Sequence, residues 1–574
     1  DETADAEDGT ADDESFASTE RAATRLGALV EVDLERSRRG LRSVLLDRLG
    51  ERSVLEWTIR RVEQCATVGT LVLVAHRRFV PVIERELGAL RFRGSPATWF
   101  FHDHDDIADR DRLRRARAWG KDGWRGGIGD SYFFCEAGNP HAFRDVMVRE
   151  AWDEAVVVPA EAVFLEPSAV DGMVRHYCDE RRGLAVYLST APPGIAADIV
   201  SRRLIETTSE AGASLDRVYG FRLDEPNRDA DLHRIFHHFD EALTTARGRY
   251  TIDGETALHR ARSWLAADSE PPRGRDAIGR RRASPLSFVG THPEELVVEL
   301  TDDRGGRRAA REGRSASDAL SSLDPTAWRA ILDAISANDD ALLTLGGGYA
   351  DPVLDPDLGS RIREARAVGA YGIHIDTVGA AIDEDRAGAI VAASPTVITV
   401  DLGAPSEEII AELFPGTPTL ATRCTGLEAL LPAVASAPVE ERPFVVVAVS
   451  FDERSAPHLD EFFDRWASRV DRIVIRGIEG PRGEEHPRSL GCFAPPNRTA
   501  CARLATQMRV EFDGVVPLCA RDPEIAHPVG DLRRQSVAEV WTGGAFTRAR
   551  ETHLRGEWDA WSHCGPCRSW FRFD

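Results

Sequence analysis

The chain has 574 residues, 42% of them hydrophobic, and a formal net charge of −23. That length exceeds what one hydrophobic core serves and calls for two or three domains. Its basic residues are arginines apart from Lys121, and so acidic a surface excludes nucleic acid as the main partner because it repels phosphate.

No apolar run reaches the roughly eighteen residues that span a bilayer, and the N-terminal residues show no basic-then-apolar leader pattern. A cytoplasmic protein with no membrane contact is therefore expected. Nine cysteines, sparse at first and concentrated after residue 490, read as metal ligands in a reducing compartment rather than as a disulfide framework.

Residues 1–22 are acidic and polar, with too little apolar surface to offset the entropy of ordering, and are expected to be a disordered tail. From residue 23 to 268, buried strands alternate with amphipathic helices: GALVEVDL, SVLEWTIRRVEQCA, GTLVLVAH, then EAVVVPAEAVFLEP as another strand before PSAVDGMVRHYCDE. This rhythm predicts βαβ units and a parallel sheet. His102, Asp103, His104, Asp105 and Asp106 form either a metal site or a solvated loop. His233 and His237 fall at i, i+4 spacing on a predicted helix, either a ligand pair or a surface face. The glycine- and tryptophan-rich WGKDGWRGGIGDSYFF from Trp119 onward is a binding loop or a packing loop.

Residues 269–288, rich in Pro, Gly and Arg, read as a linker. A second series over 289–485 carries six strand runs, ELVVELT, DALLTLGGG, YGIHID, TVITVDLG, FVVVAVSF and DRIVIRG, separated by helix-length segments. Six such units predict a partial or full αβ barrel.

In residues 486–574, Cys501 precedes a predicted strand, a tight Asp513-Gly514 turn and a return strand ending at Cys519. Cys564-Gly-Pro-Cys567 then supplies two thiols from one turn. Four thiolates suit an iron-sulfur cluster or structural zinc. Cys492 is a fifth ligand or a bystander.

These cysteines, with the Asp513-Gly514 turn, Gly530, Ser536, Trp541, Arg550, His553 and Gly556, resemble the SPASM domain appended to many radical SAM enzymes. The resemblance implies one auxiliary 4Fe-4S cluster on Cys501, Cys519, Cys564 and Cys567, with zinc as the alternative. The middle series resembles the radical SAM partial barrel, its best match being LTLGGGYADPVLDPDL at 343–358. There Ala350-Asp351-Pro352 stands in place of Gly-Glu-Pro, and the resemblance implies S-adenosylmethionine contacts at Gly346, Gly347, Gly348 and Asp351. The same segment also reads as a tight turn that packs the barrel.

The family's Cys-x3-Cys-x2-Cys loop should follow ELVVELT, but DDRGGRRAAREGRSASD stands there, and no cysteine lies between Cys178 and Cys424. Radical initiation of the usual kind is therefore expected to be absent. Arg304, Arg307, Arg308 and Arg311 in that loop bind an anion or form a solvated charge run.

ERSRRGLRSVLLDRLGERSVLEWTIRRVEQC, TAPPGIAADIVSRRLIE and RYTIDGETALHRAR resemble the cytidylyltransferases that activate sugars for surface polysaccharide. The phosphate-binding glycine and lysine expected near Arg42 and Ser43 are absent. The metal-holding aspartate falls near Glu161, with Asp198 and Asp253 as partners for Mg²⁺. The whole order resembles the spirochaete-type SPASM proteins. The implied fold class is α/β multidomain: a nucleotidyltransferase domain of GT-A/Rossmann-like type, a radical SAM-like partial TIM barrel, and a small SPASM domain.

The implied function is 4Fe-4S binding with degenerate catalytic domains, serving substrate or partner recognition or electron relay. The implied partners are an unidentified protein or peptide and a redox partner. A divergent sugar nucleotidyltransferase, or an S-adenosylmethionine-using enzyme, in surface glycan biosynthesis is the alternative.

Overall fold

The computed structural model describes residues 25–105, 112, 114–116, 119, 138–211, 232–244, 246, 248–265, 268–283, 289–302, 321–347, 350–478, 483, 484, 486, 487, 498–522 and 524–570. The acidic tail, Asp106, Gly348, Cys492, the arginines from Arg304 to Arg311 and the rest of the loop after Trp119 lie outside the described residues.

The N-terminal sheet contains β1 (Leu26–Val32), β2 (Val68–His76), β3 (Thr98–His102), β4 (Glu154–Val157), β5 (Val186–Ser189), β6 (Asp198–Ser201) and β7 (Phe236–His237). Their order is β7-β5-β6-β4-β1-β2-β3. Alternate residues bury opposite faces, Ala28 and Val30 in one apolar cluster and Leu29 in another, so both faces are covered by helices. Ser53 and Glu56 start the helix Val54–Glu63 with a reciprocal capping box.

The sheet is not wholly parallel. β6 runs antiparallel to both β4 and β5, because the short segment after β5 cannot hold a crossover helix and can only turn the chain back. The strand expected over EAVVVPAEAVFLEP stops at Val157. Pro159 lacks an N–H for a ladder, and the chain folds into turns in which Ala162 N–H donates to the Pro159 carbonyl and Val163 N–H to the Glu161 carbonyl. Those turns leave Glu161 just beyond the C-terminal end of β4.

Part of the expected linker is a helix, Gly274–Ala283. It buries Ala277 and Ile278 in the N-terminal core. Four arginines among its ten residues hide so narrow a stripe from a periodicity reading. His237 sits on β7, paired with β5, and not on a helix with His233.

The second sheet holds β8 (Glu295–Val298), β9 (Leu342–Gly346), β10 (Gly372–Thr377), β11 (Val397–Gly403), β12 (Phe444–Phe451), β13 (Arg472–Gly477) and β14 (Gln507–Val510). The order β13-β12-β11-β10-β9-β8-β14 is strictly sequential through β13, and every pairing is parallel. Adding each strand beside its predecessor curls a sheet toward a barrel instead of a doubly wound fold. Leu343, Ile375, Ile398 and Val447 face the helices in the main core. Thr344, His374 and Thr399 lie at alternate positions, where Thr344 Oγ1 meets Glu295 at 2.5 Å and His374 Nε2 meets Thr399 Oγ1 at 2.9 Å.

The seventh strand comes from the cysteine-bearing region: β14 pairs parallel with β8, with Gln507 opposite Glu295. The expected hairpin is thereby divided. The turn is present, with Gly514 at φ +83°, but its return strand β15 (Val515–Pro517) pairs with β16 (Pro528–Asp531).

The two large units are docked. Arg112 donates to the Pro443 carbonyl at 3.0 Å and to Asp471 at 2.7 Å. Ala116 packs among Val397, Phe444, Val446 and Val474, and the Trp119 ring lies 5.6 Å from that of His374. Asp340 accepts the Glu255 N–H at 2.8 Å.

Candidate iron-sulfur site

The four cysteines arrive from three places. Cys501 precedes the one-turn helix Arg503–Thr506 that leads into β14, Cys519 follows β15, and Cys564 and Cys567 share a turn closed by Cys567 N–H to the Cys564 carbonyl. All four line one cavity, together with Arg498 and His553. Cys501, Cys564 and Cys567 are buried and none is in a disulfide.

Burial pushes these three thiols up, and the neighbouring cysteines push the same way because four thiolates repel one another. They ionise together only when positive charge enters the cavity, which makes metal uptake a proton-releasing event.

Two features fit a metal group. Gly483 has φ +75°, and a Cβ there would stand 2.9 Å from the Cys567 sulfur, so only glycine lets the chain lie so close. Arg521 N–H donates to the Cys519 sulfur at 3.4 Å, a bond that strengthens with negative charge on sulfur. Among the described residues, no three His, Cys, Asp or Glu side chains are drawn in closely enough to hold a single metal ion.

Arg509 ties this site to the barrel. It is 2% exposed, donates to the Ala520 carbonyl at 3.1 Å, and lies 3.1 Å from Glu299 and 3.0 Å from Glu511. Glu299 in turn accepts the Ala350 N–H at 3.1 Å. A polar chain thus runs from beside Cys519 to the glycine-rich loop.

In that loop Gly346 has φ +87°, and a Cβ would stand 2.5 Å from the Asp376 carbonyl oxygen, so the turn requires glycine. Gly347 also has positive φ. Asp351 is 1% exposed and accepts from Thr377 Oγ1 at 2.7 and 2.9 Å, Val378 N–H at 3.2 Å and Val353 N–H at 3.1 Å. Its carboxylate fastens the loop after β9 to the end of β10.

In the N-terminal unit Glu161 accepts the Arg38 N–H at 3.3 Å, and Asp253 accepts from Arg249 at 2.9 Å and Thr251 at 2.6 Å. One oxygen of each, Glu161 Oε2 and Asp253 Oδ1, is buried with no hydrogen-bond partner. Burial holds the Glu161 carboxyl above its usual range, with Asp253 adding to the shift and Arg38 opposing it. Asp198 instead accepts the Ser189 N–H, tying β6 to β5. Where a phosphate-binding lysine was expected, Arg42 pairs with Asp47 and Glu255. His102 stacks on His104, whose ring lies tilted against that of His141; His104 is 2.7 Å from Asp145, and Asp103 pairs with Arg77.

Residues 501–568 match the SPASM family, an iron-sulfur cluster-binding domain. The C-terminal part of this α/β chain is therefore a domain of the SPASM iron-sulfur cluster-binding type. An uncharacterized protein of Treponema pallidum (strain Nichols) is 26% identical over 116 residues, or 20% of this chain, which spans about a third (31%) of that relative. Similar solved structures include BtrN in complex with AdoMet and 2-DOIA, at 14% identity over 47% of this chain and 91% of that one, TM-score 0.30. A cytidylyltransferase from Leptospira borgpetersenii matches at 13% identity, 46% of this chain and 95% of that one, TM-score 0.33. Native anSMEcpe with bound AdoMet matches at 12% identity, 48% and 88%, TM-score 0.34. Among the described residues no helix is long and apolar enough to cross a membrane.

Proposed function

We propose that this chain carries one 4Fe-4S cluster on Cys501, Cys519, Cys564 and Cys567 and serves as a partner-recognising electron relay without radical initiation of its own. The observation that carries the reading is the shared cavity of four thiols on a domain whose β14 is a strand of the barrel sheet. When bound, such a cluster supplies one-electron transfer at a potential set by its protein surroundings. The chain's own contribution is to hold the thiols, bury them, and link them through Arg509 to the barrel. The partner is a protein or peptide, with a separate redox partner, in a reducing compartment such as the cytoplasm.

The lack of a Cys-x3-Cys-x2-Cys loop and the engagement of Asp351 by Thr377 and Val378 support a barrel that no longer uses S-adenosylmethionine. Calorimetry of the full chain with S-adenosylmethionine tests this. No heat of binding is expected, and a saturable micromolar isotherm contradicts it.

A second reading, nucleotidyl transfer, draws support from the orphaned oxygens of Glu161 and Asp253, a donor pair suited to Mg²⁺. Calorimetry with Mg²⁺ and cytidine triphosphate tests it against Glu161→Gln. Binding lost in the variant favours transfer, and no binding by the intact chain removes it.

A further inference from the structure

His553 lies in the last turn of the helix Gly544–Leu554 and is 1% exposed. The Cys501 N–H donates to its Nδ1 at 3.4 Å. A backbone N–H only donates, so Nδ1 is the acceptor and the ring proton resides on Nε2. With Nδ1 accepting, the ring carries that single proton and is neutral.

Nε2 is buried and has no hydrogen-bond partner among the described residues. The ring lines the cavity that the four thiols share, with Trp558 edge-on at 5.2 Å. A buried N–H without an acceptor is costly, and it is rarely kept unless something accepts it. Sulfur is the acceptor this cavity offers once a cluster is in place.

We propose that His553 Nε2–H donates a hydrogen bond to a sulfur of the cluster held by Cys501, Cys519, Cys564 and Cys567, and so raises its reduction potential. This rests on the cluster reading above. Reduction adds negative charge to the cluster, and a donor aimed at its sulfurs stabilises the reduced form more than the oxidised one. Arg498, Arg503 and Arg521 also line the cavity, and Arg498 donates to the Cys564 and Gly565 carbonyls, but as cations they also act on the cluster through charge at a distance. A neutral N–H acts only through that bond, which makes its contribution separable by substitution. Simultaneously, Nδ1 fixes the backbone of Cys501, so His553 is a positioning residue for one ligand and a tuning donor for the group.

The test uses the full chain reconstituted with iron and sulfide under anaerobic conditions, comparing the natural protein with His553→Phe and His553→Gln. Iron and sulfide are measured first, then the midpoint by titration followed with electron paramagnetic resonance. With equal iron in all three, the Phe variant is expected at a more negative midpoint. The reduced fraction should fall about tenfold at fixed potential, equivalent to roughly 59 mV for one electron. The Gln variant, which keeps an N–H donor, should recover most of that shift.

An unchanged midpoint at equal iron overturns the proposal, as does a Gln variant no different from Phe. Independently of whether the variants fold, the natural protein labelled with ¹⁵N-histidine should show a ¹⁵N coupling to the reduced cluster in pulsed resonance. Absence of that coupling also overturns the proposal. If the natural protein takes up no iron, the cluster reading itself fails, which is a distinct result.

Discussion

Asp351→Ala separates a structural carboxylate from a ligand-binding one. Asp351 accepts bonds from Thr377, Val378 and Val353, all of them buried. Alanine leaves one hydroxyl and two backbone N–H groups without that acceptor. At about 1–3 kcal/mol for each unsatisfied buried group, less what a trapped water recovers, the loss is roughly 3–5 kcal/mol. For a unit of this size, each kcal/mol lowers Tm by about 2–4 °C, so the barrel transition should fall by roughly 6–20 °C. Circular dichroism melts with and without S-adenosylmethionine are the assay. The reasoning requires the large drop and no ligand effect on the natural protein. An alanine variant melting within about 1 °C of the natural protein, having lost a stabilisation by S-adenosylmethionine that the natural protein shows, would refute it.

Burial raises Asp340 from 3.8 to about 6. A carboxyl raised in the folded state binds its proton more tightly there, so its stabilising effect is full below pH 4 and lost as pH rises to about 6. Asp340→Asn keeps an acceptor for the Glu255 N–H and removes the titration; by denaturant unfolding it should gain about 1–3 kcal/mol at pH 8 relative to pH 4, and an unchanged pH profile would contradict this. Arg509→Met strands the buried Glu299 and Glu511 carboxylates, and urea unfolding should show a loss of about 3–5 kcal/mol. A loss below about 0.5 kcal/mol would mean that the Arg509 link is not a structural tie.

The parts of the site that sequence discloses are those with short-range chemistry. Cys564 and Cys567 are separated by two residues, and β-branched runs such as TVITVDLG and FVVVAVSF announce buried parallel strands. What sequence conceals is pairing over long range. Nothing local marks Gln507–Val510 for β8 rather than for its own hairpin, because an open sheet edge two hundred residues upstream decides the matter. The helix Gly274–Ala283 was masked by its arginines. The engagement of Asp351 by Thr377, the tautomer of His553 and the orphaned oxygens of Glu161 and Asp253 depend on contacts with no sequence signal at all.

The central claim is most directly tested by quantifying iron, sulfide and zinc, with electron paramagnetic resonance, in anaerobically produced full chain and in Cys564→Ala plus Cys567→Ala. The expected result is about four irons and four sulfides per chain, as one 4Fe-4S cluster requires, with the reduced signal lost in the double variant. One zinc per chain with no sulfide would contradict the claim and leave the four thiols as a structural zinc site.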